Sequence, residues 1–504
     1  MTDSGTNRQV RSRSGRRCRR TPVGWAVFLP LVLLAAAVVV VPRLVEPAAA
    51  VGATKPNVVL VLTDDMRYDD LRYLPNVRKL LVEKGRSYTQ AIAPHPLCCP
   101  TRAELVTGQY GQNSGVQHNA GRWGGFHALR DKSNTLGLWL SRAGYRTQYT
   151  GKYLNEYDWD HGATRAQTPR PPGWTIWDPA MTDVYSYWKT GFYNGDRPRG
   201  YVADVLTRRT NAAIQRFHRE QKPFFLFVNQ LAPHNAGSAP WNPRYKSTYA
   251  DYLAGTPFPI RKNPAFNEAD VSDLPRSIRG ARVGREESLK RAALWRDRLR
   301  ALRSVDDSVA RIVGELRRTG ELAQTYFVFT SDNGFQLGEH RIVGKNRLFE
   351  ESLRVPLIVR GPGIAPGSVE RRQVSLVDLT PTILGWTGAK AGRRADGVAL
   401  QQLGGAQPLR DTILVQTGDA ANDRTPGWWF RGVRTPRYTY ARIAGDLRQG
   451  VLFDRRRDPH ELVNVFHDPA YASVRAELAR RTTALEGCAG STCNRVFGPV
   501  PAPA

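Results

Sequence analysis

Cysteine and methionine are scarce in this chain of 504 residues, which holds five of the first and three of the second. So few cysteines exclude a scaffold that depends mainly on disulfides. A hydrophobic content of 41% is enough for a large core, and the length suits two domains or one large α/β domain with an appendage. No internal repeat is evident.

Acidic residues are also scarce, with 45 Asp and Glu against 73 Lys and Arg and a formal charge of +28. Residues 1–50 contribute +6, which leaves +22 on the rest. This charge favours anionic partners such as sulfated or carboxylated glycans, nucleic acid or an anionic envelope, and it also fits a surface of solvated arginines. No compact block of Lys and Arg with interleaved aromatics follows residue 50, so we expect no nucleic-acid partner.

The N-terminal segment has the layout of a targeting sequence. Seven arginines lie between Arg8 and Arg20, residues 21–42 carry no charge, and Ala48-Ala49-Ala50 follows as a cleavage site of small residues. The apolar run approaches the length of a membrane span. We therefore expect residues 1–50 to be a signal peptide, with an uncleaved anchor through residues 21–42 and a twin-arginine route as alternatives. The chain that follows is then secreted or anchored outside the cytoplasm.

Three apolar runs are typical of buried parallel strands, and each ends in polar residues. The runs are 57–62, 223–230 and 326–330. The polar residues after them are Asp64 and Asp65, His234, and Asp332 and Asn333. Open α/β sheets bind ligands beyond the carboxyl ends of their strands. The sequence therefore predicts an α/β fold with a large, mostly parallel sheet between helices.

Asp64 and Asp65 form a pair of acids at the end of the first strand. Paired carboxylates repel, so their joint burial needs a cation, and oxygen ligands favour a hard one such as Ca²⁺ or Mg²⁺. A pair of helix-capping Asp residues is the alternative. Lys152 follows another predicted strand, 145–150, and can point into the same cleft.

Cys98, Pro100 and Arg102 form a C-x-P-x-R motif that precedes a run of helix-forming residues closed by Gly108. A thiol at the start of a helix lies beside free N–H groups that suit an anion, and Arg102 adds a cation one turn later. Two buried cysteines in an ordinary helix start are the alternative. Cys488 and Cys493 can close a small disulfide loop in an oxidising compartment.

The remaining sequence predicts a long basic helix, aromatic loops and a smaller C-terminal region. The helix covers 286–319, with a break near Arg303 and Ser304, and residues 156–200 are read as irregular loops that form a sugar-binding wall or aromatic anchors. Three short antiparallel strands, 412–416, 428–434 and 438–443, precede a polar loop at 454–464 and a final helix. The predicted domains are a targeting segment (1–50), a catalytic α/β domain (51–400), an α+β subdomain with an antiparallel sheet (401–490) and a tail (491–504).

These strand endings and motifs resemble the sulfatase family, which has the alkaline-phosphatase-like fold, from Pro56 to about Asn464. The matching stretches are PNVVLVLTDDMR, CCPTRAELVTGQY, GKYLNEY, LAPHN, FTSDNGFQLGEHRIVGKNRLFEESLRVPLIVRGPGI and LFDRRRDPHELVN. GKYLNEY, the CCP doublet and the pair Cys488 and Cys493 are most similar to the N-acetylglucosamine-6-sulfatase and heparan-type glucosamine sulfatase branch.

The resemblance implies that Cys98 is oxidised to formylglycine by a formylglycine-generating enzyme. Cys98 rather than Cys99 is implied, because it lies two residues before Pro100 and four before Arg102. The hydrated aldehyde carries two hydroxyl groups. One attacks sulfur and displaces the sugar alcohol, and the second then expels sulfate as the aldehyde returns.

The resemblance also implies the roles of the other residues. Ca²⁺, in preference to Mg²⁺, is held by Asp64, Asp65, Cys98, Asp332 and Asn333. Arg102 holds the formylglycine hydroxyl, Lys152 and Lys345 bind sulfate oxygens, His234 protonates the leaving alkoxide with help from Lys345, and Asp332 accepts a proton from the second hydroxyl. One position departs from the family: many sulfatases carry GKWHxG, whereas this chain has Leu154 in place of the His. Asn155 and His118 are the candidates to replace it.

The leading hypothesis is a sulfuric ester hydrolase that removes the 6-O-sulfate of a glucosamine-type sugar in a sulfated glycan. An arylsulfatase and a phosphodiesterase or phosphonate monoester hydrolase on the same scaffold are the enzymatic alternatives. A non-catalytic glycan-binding protein is the third hypothesis. It predicts the loss of a catalytic residue, yet all five are present: Cys98, Arg102, Lys152, His234 and Lys345.

Overall fold

A computed structural model describes residues 55–238, 241–404, 410–419, 427–444 and 446–504. The predicted targeting segment, including the apolar run 21–42, lies outside these residues. Within the described ranges, no helix has both the length and the apolar character needed to cross a bilayer.

Seventeen strands occur in the described residues. In chain order they are β1 (Asn57–Thr63), β2 (Arg86–Tyr88), β3 (Ala91–Ile92), β4 (Arg146–Gly151), β5 (Ile176–Thr182), β6 (Gly191–Phe192), β7 (Phe224–Asn229), β8 (Thr325–Ser331), β9 (Gln336–Leu337), β10 (Val343–Gly344), β11 (Leu357–Arg360), β12 (Ser368–Glu370), β13 (Val374–Ser375), β14 (Ile413–Gly418), β15 (Trp428–Arg434), β16 (Tyr438–Ile443) and β17 (Asp446–Asp454).

Ten α-helices occur in the same residues. They are α1 (Pro75–Val77), α2 (Cys98–Thr107), α3 (Gly111–Ser114), α4 (Gly125–Ala128), α5 (Leu136–Arg142), α6 (Val202–Arg219), α7 (Arg285–Arg318), α8 (Glu350–Leu353), α9 (Leu379–Thr387) and α10 (Ala472–Glu486).

Nine strands form one mixed sheet in the order β12-β2-β11-β8-β1-β7-β4-β5-β6. Its centre is parallel, because β1 pairs in parallel with both β7 and β8, and β4 pairs in parallel with β7 and β5. Strands β11 and β6 are antiparallel to their neighbours β8 and β5. This architecture confirms the predicted α/β class.

Strand β1 shows why the sheet is buried on both faces. Val59 and Val61 point into one hydrophobic cluster, which includes residues of α6 and α7. Val58, Leu60 and Leu62 point into the other, which includes residues of α2 and α9. All five side chains are fully buried. The unbroken apolar run in the sequence is thus the pattern of a strand covered by helices on both sides.

The predicted break in the long helix is wrong, since α7 runs without interruption through Arg303 and Ser304. Ser304 is fully buried against the core, and Arg303 Nη1 donates to Asp306 Oδ2 over 2.6 Å, one turn further along the same helix. Both polar residues therefore find partners or packing without interrupting the helical backbone.

The prediction of irregular loops over residues 156–200 is only partly right. Strands β5 and β6 extend the large sheet there. Tyr157, Trp174 and Trp177 are buried, and Trp177 Nε1 donates to the Tyr157 hydroxyl over 3.0 Å. These aromatic side chains anchor the segment to the core, which is the second of the two readings offered for them.

The C-terminal region contains the expected antiparallel sheet, in the order β14-β15-β16-β17. Its fourth strand, β17, was not predicted, since the sequence analysis assigned only three. Helix α10 packs on this sheet, and Cys488 and Cys493 form a disulfide. Residues of this sheet share one hydrophobic cluster with Ile92 of β3 and Leu353 of α8, and the proposed boundary at residue 400 stays a prediction.

Candidate active site

Cys98 is the first residue of α2, and the whole helix is buried. Leu97 before it is extended, and Gly108 ends the helix in the left-handed conformation with φ 70°. The N–H of Cys99, free of intrahelical bonds at this end, donates to Asn119 Oδ1 over 2.9 Å. The helix start thus places the Cys98 side chain at the carboxyl edge of the central strands.

The acidic residues meet because β1 and β8 are adjacent and parallel. Thr63 pairs with Ser331 at the ends of these strands, so the residues that follow lie side by side. The N–H of Asp65 donates to Asp332 Oδ1 over 3.0 Å. Asp65 has φ 71°, which is unfavourable for a residue with a Cβ. This strained backbone turns its carboxylate toward Cys98.

The Cys98 sulfur lies among charged groups. Its Sγ is 3.3 Å from Asp64 Oδ1, 3.8 Å from Asp65 Oδ1 and 2.6 Å from Lys345 Nζ. Burial and the negative charge of Asp64 raise the pKa of the Cys98 thiol far above its ordinary value, against the opposing effect of the lysines. An unmodified Cys98 is therefore a protonated thiol, and a thiol is a poor nucleophile.

Each acid of the centre has a cation beside it. Lys152 Nζ donates to Asp64 Oδ2 over 2.5 Å, Lys345 Nζ donates to Asp65, and Arg102 Nε donates to Asp332 Oδ2 over 2.9 Å.

The pKa values follow from these pairs. Burial alone would raise the pKa of Asp64, but Lys152 and the neighbouring cations hold that pKa well below its usual range. Lys345 likewise lowers the pKa of Asp65 against the effect of burial. Burial and the charge of Asp64 outweigh Arg102 and raise the pKa of Asp332 to about 6. The first two acids are therefore ionised at neutral pH, and Asp332 is close to its titration point.

His234 lies at the end of the segment that follows β7. Its Nδ1 bonds the carbonyl of Asn235 over 2.8 Å, and since a carbonyl only accepts, Nδ1 carries a proton. The other nitrogen, Nε2, faces Asp65 Oδ2 at 3.9 Å. Desolvation lowers the pKa of His234 to about 4, in spite of the nearby acids. The ring atom that exchanges its proton is therefore the one directed at the centre.

The donor atoms at this edge fit a hard cation. One ligand atom each of Asp64, Asp65, Cys98 and Asp332 lie within 4.8 Å of one another. Asn333 Nδ2 donates to Asp65 Oδ1 over 2.8 Å, whereas the buried Asn333 Oδ1 has no hydrogen-bond partner. A buried acceptor without a partner is costly unless something binds it, and carboxylate and amide oxygens are ligands that Ca²⁺ prefers.

The structure brings together all nine residues that the sequence analysis singled out. They are Asp64, Asp65, Cys98, Arg102, Lys152, His234, Asp332, Asn333 and Lys345. Each contacts at least one other member of the set. Their proximity is a structural fact, while the role of each stays a prediction.

Leu154, which stands where many sulfatases have the His of GKWHxG, is buried in the apolar core. In the part of the chain that the structure describes, the hydrogen bonds of Cys98 go to Asp64, Asp65 and Lys345, so neither Asn155 nor His118 is among its partners. The backbone of Asn155 instead bonds the neighbouring Cys99. The structure thus gives no replacement for the missing imidazole at Cys98.

Tyr185 is a site residue that the sequence reading missed. Its ring stacks on His234 with centroids 4.2 Å apart, and Lys152 Nζ lies 5.2 Å from the same ring. It belongs to the segment read as irregular loops, where no motif distinguishes one aromatic residue from another.

Arg298 and Asn229 were missed as well. Asn229 Oδ1 accepts a hydrogen bond from Arg102 Nη1 over 3.1 Å. Arg298, in the middle of α7, donates to the carbonyl of Asp65 and, over 3.3 Å, to that of Pro233. An arginine on the apolar face of a long helix is a signal that could have found Arg298, because buried arginines are rare without a specific partner.

Comparison with known proteins assigns the chain to a family. The Sulfatase family profile matches residues 56–389, and the profile of the C-terminal region of N-sulphoglucosamine sulphohydrolase matches residues 338–487. N-acetylglucosamine-6-sulfatase of Capra hircus is 30% identical, over 90% of this chain and 87% of its own length. An arylsulfatase of Volvox carteri is 30% identical, over 88% of this chain and 76% of its own length.

A solved structure supports the fold. A protein in complex with its substrate D-glucosamine-2-N,6-O-disulfate superimposes with a TM-score of 0.64. It is 24% identical in sequence, and the match covers 85% of this chain and 97% of the other. The family profile matches about two thirds of the chain, and relatives are 30% identical to it, so the chain belongs to the sulfatase family and is a sulfuric ester hydrolase.

Proposed function

We propose that this sulfatase removes the 6-O-sulfate of a glucosamine-type sugar in a sulfated glycan. The observation that carries the proposal is the position of Cys98, at the start of a buried helix and in contact with two acids and a lysine. The substrate class is supported by the relative named as an N-acetylglucosamine-6-sulfatase, and by the glucosamine disulfate bound in the structure with the same fold.

Cys98 acts after conversion to formylglycine. Its protonated, buried thiol has little reactivity of its own, which supports the need for a modification. The hydrated aldehyde supplies an attacking hydroxyl and a second hydroxyl, whose proton leaves when sulfate is expelled. Asp332, which lies beside Arg102, is the acid we assign to accept that proton.

The oxygen ligands of the centre hold Ca²⁺ in preference to Mg²⁺. Asp64, Asp65, Asp332 and Asn333 supply carboxylate and amide oxygens, and the residue at position 98 completes the set. The bound ion would lower the pKa of the attacking hydroxyl and offset the negative charge of the ester. Arg102 keeps Asp332 oriented through its bond to that carboxylate.

Lys152, Lys345 and His234 surround the place where the ester must lie. Both ammonium groups face the acids beside Cys98, where they can bind sulfate oxygens whose charge grows in the transition state. The His234 Nε2 faces the same space. The negative charge of a bound sulfate ester would raise the pKa of His234 and favour a proton on Nε2, so this atom is placed to protonate the departing sugar oxygen, with Lys345 assisting. This arrangement binds a sulfate and supplies the proton that its leaving group needs.

A panel of sulfated sugars tests the substrate. Glucosamine 6-sulfate and N-acetylglucosamine 6-sulfate should release sulfate with the highest kcat/KM, and isomers sulfated at position 3 or on nitrogen should react much more slowly. Release from the other positions at an equal rate would contradict the 6-O assignment while leaving the reaction class intact.

An arylsulfatase is the second candidate, favoured by the similarity to the Volvox carteri enzyme. A small aryl sulfate, a phosphate diester and a phosphonate monoester belong in the same panel. If the aryl sulfate exceeds every sugar in kcat/KM, the glycan proposal is wrong. If the phosphorus esters exceed all sulfates, the chain would be a phosphodiesterase or phosphonate hydrolase on this scaffold.

Mass analysis of the peptide that contains Cys98 and Cys99 tests the modification. Replacing sulfur by oxygen with loss of two hydrogens lowers the mass by roughly 18 Da, which follows from C–SH becoming C=O. We expect the change at Cys98 alone. A modified Cys99, or an active enzyme with an unmodified Cys98, would contradict the assignment.

We infer that the protein is modified by a formylglycine-generating enzyme, and that it is exported and works outside the cytoplasm. The disulfide between Cys488 and Cys493 supports this, because such bonds persist in oxidising compartments. Fractionation of expressing cells, with N-terminal sequencing of the product, distinguishes a cleaved signal from an anchor through residues 21–42. Recovery of the full chain from the cytosol would contradict export.

A further inference from the structure

A second cluster of metal-binding side chains lies outside the catalytic centre. It consists of His340 between β9 and β10, Glu351 in α8, and Glu461 in the segment after β17. One ligand atom of each lies within 4.8 Å of the other two. None of the three belongs to the nine residues of the catalytic centre.

His340 has the hydrogen bond that is typical of a metal ligand. Its Nδ1 lies 2.9 Å from Glu268 Oε2, and metal-ligating histidines commonly donate their other ring N–H to a carboxylate in this way. This bond places a proton on Nδ1, so Nε2 is the ring atom left to bind a metal. His340 is fully buried, and its Nε2 has no hydrogen-bond partner within the described residues.

Glu351 Oε2 lies 3.8 Å from His340 Nε2. This is too long for a hydrogen bond, and Glu351 Oε2 is itself buried without a partner. Bonds of about 2.0–2.1 Å from a tetrahedral zinc ion would separate two ligand atoms by about 3.3–3.4 Å. If the His340 and Glu351 side chains moved a few tenths of an ångström closer, Nε2 and Oε2 would have the separation of two zinc ligands.

Glu461 supplies the third ligand. Its two oxygens accept bonds from the N–H of Glu350 over 2.9 Å and from Thr439 Oγ1 over 3.0 Å. Each oxygen keeps a further lone pair, because a carboxylate has about four acceptor positions. These two bonds hold the carboxylate in place with respect to its neighbours.

We propose that His340, Glu351 and Glu461 form a second metal site, which binds Zn²⁺. A nitrogen and two carboxylate oxygens suit zinc, whereas the oxygen ligands of the catalytic centre suit a hard ion. His340 and Glu351 lie on either side of Lys345 in the chain, and Glu461 comes from the C-terminal region. The ion would therefore pin both ends of the segment that carries Lys345 and tie it to the rest of the molecule.

A zinc titration of the tag-free full chain tests this proposal. The Cys98→Ala variant serves as the parent protein, in saturating Ca²⁺, so that the catalytic thiol and acids do not bind zinc. We expect one equivalent of Zn²⁺ by elemental analysis after gel filtration, and a rise in Tm on adding Zn²⁺. Glu351→Gln and His340→Gln should lose the bound ion, and Glu268→Gln should weaken zinc binding about 10–100-fold.

Glu104→Gln is the matched control, because it makes the same change at a buried glutamate elsewhere and should keep the full equivalent of zinc. A parent protein that binds no zinc would overturn the proposal, and so would equal binding by Glu351→Gln and the parent. If His340→Gln does not fold, Glu351→Gln decides, since its amide keeps the volume of the carboxylate. The result does not depend on which ester the enzyme cleaves.

Discussion

Two sides of helix α2 hold buried acids in opposite electrostatic surroundings. On the side of Arg102, Asp64 and Asp332 each have a cation within hydrogen-bond distance. Glu104 leaves the helix about 200° further round, and neither of its oxygens has a hydrogen-bond partner among the described residues.

These surroundings give opposite charge states at the same degree of burial. The pKa of Asp64 lies well below its usual range, whereas burial and the charge of Asp396 raise the pKa of Glu104 well above it. The charge of a buried acid is therefore decided by its partners. One side of the helix faces an ionised carboxylate, and the other side keeps a neutral acid as part of the packing.

We call the side of α2 that carries Cys98 and Arg102 the reactive side, and the side that carries Glu104 the neutral side. The largest effect is expected from Cys98→Ala, which removes the central group of the reactive side. Sulfate release should fall by at least about a thousandfold, because the nucleophile is lost, while circular dichroism and Tm stay close to the parent. Cys99→Ala is the matched control and should keep most of the activity. Residual turnover of Cys98→Ala above about a thousandth would indicate another nucleophile.

Arg102→Ala would leave a buried acid on the reactive side without a cation beside it, as Glu104 is on the neutral side. Losing the guanidinium leaves Asp332 buried beside Asp64 without its cation, and breaking a buried ion pair costs about 3–5 kcal/mol of the free energy of unfolding. Denaturant unfolding measures that loss, and activity should fall with it. Arg72→Ala, which removes an exposed pair with Asp69, should cost about 0–1 kcal/mol. If both variants lost the same free energy of unfolding, the buried pair at Arg102 would contribute no more than an exposed one.

Glu104→Gln tests the neutral side. Because the pKa of Glu104 is raised in the folded state, the folded chain holds this proton more tightly than the unfolded chain. The free energy of unfolding therefore falls as the pH rises above the unfolded pKa of about 4.3. Glu104→Gln should reduce that fall and raise Tm at pH 8 relative to the parent.

The exposed Glu286, which pairs with Lys290 one turn away, provides the control for this change. Glu286→Gln should leave the pH profile of stability nearly unchanged. If Glu104→Gln lowered Tm equally at pH 5 and pH 8, Glu104 would be ionised in the folded protein and the contrast between the two sides would fail.

The smallest expected effect is at Tyr185, which stacks on His234 on the reactive side. Tyr185→Leu removes a ring contact worth about 0.5–1.5 kcal/mol, so kcat/KM should fall by up to about tenfold. Tyr185→Phe keeps the ring and should retain most of the activity. A larger loss in the Phe variant than in the Leu variant would assign the role to the hydroxyl group instead.

The sequence was sufficient to predict the reactive side, because its residues follow apolar strands. Asp64 and Asp332 come directly after β1 and β8, and parallel pairing brings the ends of such strands together without knowledge of any side-chain contact. The central strands, the long helix and most of the C-terminal sheet were predicted for the same reason: their apolar patterns are local.

The sequence could not give features that depend on distant partners. The neutral Glu104 depends on Asp396, which is remote in the chain, and the role of Tyr185 depends on how an aromatic segment folds over His234. Strand β17 was missed because its first half is polar and exposed. The predicted helix break near Arg303 was wrong. Composition alone does not show that Arg303 pairs with Asp306 within a continuous helix.

The guanidinium group of Arg298 has a consequence for how this enzyme can change. Its hydrogen bonds hold the carbonyl of Asp65, one of the acids around Cys98, and that of Pro233, the residue before His234. A change in the loop at Asp65 or in the loop at Pro233 that admits a bulkier alcohol would therefore also displace the other loop. New specificities should arise more easily at the rim of the cleft than by remodelling either loop.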